Sequence, residues 1–99
     1  MAKINGMTQT PLRFKDVDPA VAAARRVKYA GEDDAAYDRA IVELETAKPT
    51  TPAGIKAVLE LYTLRVESLQ AGDEVDADTM TLMARNIMAG LDHLARKAG

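Results

Sequence analysis

Apolar positions along this chain recur at helical spacing in several stretches, separated by glycine, proline and acidic punctuation. Ala23, Val27 and Ala30, then Tyr37, Ile41 and Leu44, step by fours, threes and a single seven, which keeps them on one side of a helix. Asp18-Pro19 opens this segment. The Asp carboxylate can accept from free amides of the first turn, and Pro at the first helical position gives up a hydrogen bond that a helix start lacks anyway. Beyond Gly31, the acids Glu32, Asp33 and Asp34 suit a helix N-terminus, so a second helical stretch is expected from Asp33 to Ala47. Because the apolar stripe crosses Gly31 without rotating, the pattern predicts either one continuous helix or a helix bent at Gly31, ended by Pro49.

Pro49-Thr50-Thr51-Pro52 is the next boundary, with Thr51 as N-cap and Pro52 as the first residue of a third helix running to Ala71. Ile55, Val58, Leu59, Tyr62, Val66 and Leu69 follow one face of it, and Leu61 and Leu64 widen that face on one side. Gly72 supplies a C-cap, and the short stretch to Asp76 predicts that the next helix returns antiparallel beside the third. That fourth helix, about Ala77 to Lys97, carries Met80, Ala84, Ile87, Leu91, Leu94 and Ala98 as a heptad-like seam, broadened by Met83, Met88 and Ala95. Gly90 within it predicts a close helix crossing. The expected architecture is all-α, a three- or four-helix bundle built on an antiparallel hairpin of helices three and four. Residues 1–17 show no sustained period and read as an N-terminal extended arm, with Phe14 able to dock its end on the body; residues 18–99 form the single helical domain.

Composition supports this. The chain is 47% apolar and 28% charged, the balance of a folded globular protein, and its apolar share is dominated by Ala, Leu, Val, Ile and Met rather than by aromatic residues. With no cysteine, a disulfide framework, a thiolate metal site and a thiol nucleophile are all excluded. No segment approaches the roughly 20 apolar residues that span a bilayer, and the first residues lack the apolar run of a leader, so a cytoplasmic protein is expected. A net charge of -2 gives no global pull towards nucleic acid or anionic lipid.

Between Tyr37 and Leu94 the chain combines Tyr37-Asp38, the turn Pro49-Thr50-Thr51-Pro52-Ala53-Gly54, an apolar helix, a short acidic loop and a last helix containing Ala84-Arg85-Asn86-Ile87. This pattern resembles a group of short, uncharacterised helical proteins of alphaproteobacteria and their prophages, which often carry Leu where this chain has Pro52. The resemblance implies a bacterial or phage setting and no activity for any residue.

Candidate chemistry is sparse. His93 has Ala89, Gly90, Arg96 and Lys97 one turn away, none of them a carboxylate to orient it, and no Glu stands three residues before it as a helical di-metal site requires. Glu43, Glu45, Glu60, Glu67 and Asp92 fall mainly on polar helix faces; Arg39 with Glu43, Lys56 with Glu60 and Asp92 with Arg96 have the spacing of surface pairs. No nucleophile stands with a base, and no Gly-rich phosphate loop is present. Hence neither an enzyme, nor a metal, nor a cofactor is expected. Arg25, Arg26 and Lys28 form the one basic concentration suited to phosphate contacts, but the acids Glu32, Asp33 and Asp34 follow closely and argue against nucleic acid. Helix three presents a face too wide for a single neighbour. The expectation is therefore a non-enzymatic, self-associating or protein-binding module, a homodimer first, with Leu61, Tyr62, Leu64 and Met88 as candidate interface residues. A nucleic-acid accessory role for the basic patch is the alternative.

Overall fold

The computed structural model describes residues 17–98, and over these residues the chain is all-α with no strand. Four helices follow one another: α1 (Pro19–Tyr29), α2 (Asp34–Thr46), α3 (Pro52–Gln70) and α4 (Ala77–Ala98). The expected arm falls on residues that lie outside the described ones, except for Val17, which is exposed.

The second helix expected from Asp33 to Ala47 is present as α2, but it neither continues α1 nor bends from it: the chain breaks at Gly31 and folds back. Gly31 adopts φ 59°, a left-handed conformation that only glycine takes without steric cost. The Asp33 amide donates to the Ala30 carbonyl at 3.0 Å, and the Asp33 carboxylate then caps α2 by accepting from the Ala36 amide at 3.0 Å. Each local choice favours a stop and a restart. The reason lies in packing, since α1 and α2 make the most extensive helix pair among the described residues. A continuous rod would have left their small apolar faces apart, whereas the antiparallel hairpin buries Ala20, Ala23, Ala40 and Leu44.

The start of α3 is secured from a distance. Thr51 caps its own helix, its hydroxyl oxygen accepting from the Gly54 amide at 3.1 Å. That hydroxyl also donates to Asp18 Oδ2 at 2.6 Å, and the same carboxylate oxygen accepts from the amides of Thr50 at 3.0 Å and Thr51 at 2.9 Å. Asp18 Oδ1 meanwhile caps α1 through the Ala20 amide at 2.8 Å. One carboxylate, 5% exposed, thus serves two helix starts. Burial pushes this carboxyl up, but the Thr51 hydroxyl and the amides of Thr50, Ala20 and Thr51 outweigh burial and hold it below the usual carboxylate range. The space for it comes from Gly54, where any Cβ would overlap the Asp18 carboxylate.

At its far end α3 closes as the sequence predicts, around Gly72 at φ 96°. Asp73 donates to the Ser68 carbonyl at 3.0 Å and Gly72 to the Leu69 carbonyl at 3.1 Å, the paired bonds of a Schellman ending. Asp76 then starts α4, accepting from the Thr79 hydroxyl at 2.7 Å and the Thr79 amide at 3.2 Å. The hydroxyl bond holds this carboxyl below its ordinary range. Helices α3 and α4 form the expected hairpin, and Gly90 is indeed a close crossing. A Cβ there would lie 2.9 Å from the Pro49 carbonyl oxygen and 3.0 Å from Ile55 Cγ1.

The core collects Ala20, Ala23, Leu44, Ala47, Val58, Leu61 and Met83, from all four helices and the α2–α3 connection. On α4 the inward face differs from the seam that spacing predicts. Met83, Asn86 and Gly90 are buried, while Ile87 is only partly buried and Leu91 is exposed. The helix is rotated because the Pro49 crossing admits only a glycine, and this draws Gly90 and its neighbour one turn back, Asn86, to the inside. Among the described residues, the Asn86 Nδ2 atom is buried without a hydrogen-bond partner.

Candidate interaction surface

The four residues expected at an interface do not form one patch. Leu61 belongs to the core, 6% exposed, and its area is already taken by the chain's own helices. The wide face of α3 is therefore covered in part from within: α1 and α2 occupy the side that Leu61 widens. Tyr62 is half-buried against the same core. Leu64, one helical turn beyond Leu61, rises out of it and is 57% exposed. Met88 lies elsewhere, on α4, and is 68% exposed.

Around Leu64 the surface is a shallow apolar groove of about 180 Å³ between α1, α2 and α3. Its walls include Val27, Tyr37, Ile41 and Ala57, with Glu60 at the rim. The groove continues past Val42 and Asp38 to Glu45 and Arg65. Arg65 donates to Glu45 at 3.0 Å, a half-buried pair that ties α3 to α2. Tyr37 and Ile41 carry the same period as the core residues in sequence, and their partial exposure follows only from the fold-back at Gly31.

On α4 the rotation just described leaves a second apolar strip outside. Ala77, Met80, Ala84, Met88, Leu91 and Ala95 are spaced by threes and fours along one flank. All are exposed or half-buried, with Leu91 at 53%. Leu91 escaped sequence reasoning because it fits the heptad-like seam; only the buried glycine shows where the inward face lies.

The basic patch is less uniform than its sequence. Arg25 and Lys28 are exposed, but Arg26 donates to Glu43 on α2 at 2.7 Å. Glu43 is drawn across the hairpin to Arg26 instead of along its own helix to Arg39, correcting the spacing-based pairing. The cleft beneath, about 310 Å³, is lined by Arg26, Tyr29, Arg39 and Glu43, so a carboxylate stands inside the region a phosphate would enter. His93 is half-buried on α4. Among the described residues no group of three His, Asp or Glu side chains could hold a metal ion, and no helix is long and apolar enough to cross a membrane.

No family model, curated protein or solved structure matches this chain.

Proposed function

We propose that the chain is a non-enzymatic, cytoplasmic module of a bacterium or its phage that works through protein–protein contact, with a second copy of itself as the first partner. The observation that carries this reading is the set of large apolar side chains on the outer flanks of α3 and α4: Leu59, Leu64, Met88 and Leu91. Scattered exposed leucines are ordinary, but Met88 and Leu91 line one continuous flank of α4 beside the half-buried Met80 and Ala84, the condition under which removing water is worth about 25 cal/mol per Å².

Light scattering on a sizing column, run over a hundredfold range of concentration, tests the reading. A mass twice that of the chain at the upper end is the expected result. A monomer throughout would overturn it.

A further inference from the structure

Self-association leaves open which flank is used and how two copies face each other. We infer that a second copy docks on the outer strip of α4, with the two α4 helices antiparallel about a twofold axis passing between Met88 and Ala89; this rests on the self-association reading above.

The inference stands on three features of that flank. Its central apolar residues, Ala84, Met88, Leu91 and Ala95, run small, large, large, small; Met88, Leu91 and Ala95 are exposed and Ala84 is half-buried. Laid antiparallel about the stated axis, at about 1.5 Å rise per residue, the two strips interdigitate. Ala84 of one copy falls level with the gap between Leu91 and Ala95 of the other, and Met88 falls between Met88 and Leu91 of the other. Ala84 beside Leu91 at each end lets the backbones approach, while the methionines meet at the axis and cover one another.

The second feature is charge. Arg85 and Asp92, both exposed, sit on the solvent-side edge of the strip and are equidistant from the proposed axis. The twofold brings Arg85 of each copy level with Asp92 of the other, on the same edge, giving two reciprocal ion pairs. A parallel arrangement would put the two copies of this edge on opposite sides of the interface and bring neither charge level with its complement, so only the antiparallel one uses both. Opposite charges placed symmetrically about one point on a single helix are what an isologous interface requires.

The third is length. The part of the strip that the axis pairs with itself, Ala84 to Ala95, covers about three turns of α4, so the contact extends beyond a single local patch. The groove around Leu64 has no comparable symmetry: its rim groups Asp38, Glu45, Glu60 and Arg65 are mostly acidic and would repel their own copies across a twofold.

Charge exchange and a pair of reversals at apolar positions test the arrangement in the full chain. Arg85→Glu alone and Asp92→Arg alone are each expected to weaken dimerisation on the order of tenfold, and the double variant to restore it. Met88→Glu is expected to weaken it about a hundredfold by placing a charge on the axis, whereas Leu64→Glu leaves it unchanged. Circular dichroism and urea midpoints confirm that each variant folds. A dimer that survives Met88→Glu but not Leu64→Glu, or a double charge variant no better than the singles, overturns the antiparallel α4 arrangement while leaving self-association in place. A wild-type monomer overturns both.

Discussion

The junction where α1 meets the start of α3 and the outer flank of α4 are opposite solutions to the same problem of an uncovered surface. At the junction, polar groups are buried and each finds a partner: four donors converge on Asp18, and glycines at 54 and 90 let carboxylate and backbone approach where any side chain would collide. On the α4 flank the groups are apolar, exposed or half-buried, and matched to no polar partner among the described residues. The comparison teaches that closeness in this molecule is bought with glycine and directed hydrogen bonds, while its unused surface is hydrophobic. Substitutions should therefore unfold the protein at the first region and leave folding alone at the second.

The largest effect is expected for Gly54→Leu, which drives a side chain into the Asp18 carboxylate and breaks both helix starts. A loss of about 3–5 kcal/mol is expected in urea unfolding, and a loss below about 1 kcal/mol would show that the carboxylate can move aside. Asp18→Ala should follow at about 3 kcal/mol, since it strands buried amides and the Thr51 hydroxyl. The pH dependence sharpens this. Asp18 titrates below its unfolded value near pH 4, so its contribution is complete above that value and disappears as pH falls through the lower folded one. The stability gap between wild type and Asp18→Asn should accordingly be flat above about pH 5 and narrow below about pH 4; a gap that widened in acid would contradict the hydrogen-bond assignment.

Gly90→Ala comes next, at about 1–3 kcal/mol, because the new methyl would press on the Pro49 carbonyl and Ile55. Thermal unfolding would register it as a lower Tm. Asn86→Leu should be the mildest, within about 1 kcal/mol of wild type or more stable, as it replaces a buried amide whose Nδ2 lacks a partner. A loss above about 2 kcal/mol would mean the amide is satisfied in solution.

Most element boundaries were legible in the chain because they are written in local chemistry. Asp18-Pro19, Thr51-Pro52 and Gly72 act within a few residues of themselves, and each starts or ends a helix where its side-chain chemistry requires. The fold-back at Gly31 was not legible. An apolar stripe that keeps its phase is compatible with a rod and with a hairpin, and the choice is made by which faces meet afterwards. The second role of Asp18 was hidden for a related reason, since a hydrogen bond to a residue 33 positions away leaves no periodic trace. On α4, hydrophobic spacing located the helix and its apolar arc, but the buried centre of that arc was set by a glycine and an asparagine, residues that a count of apolar positions ignores. Burial differs accordingly from what spacing suggests: Leu61 lies in the core and Leu91, read as part of the seam, is exposed.

The Asp18 clasp also has a consequence for the order in which its parts are made. Both of its halves, with the hairpin between them, precede α4 in the chain, and closing a loop of this length costs little more than closing a shorter one. During vectorial synthesis, Asp18 already waits when Thr50 and Thr51 emerge, so the first turn of α3 can be capped while α4 is still unmade. All the hydrogen bonds of the clasp lie between residues 18 and 51, so none of them waits for a group from α4.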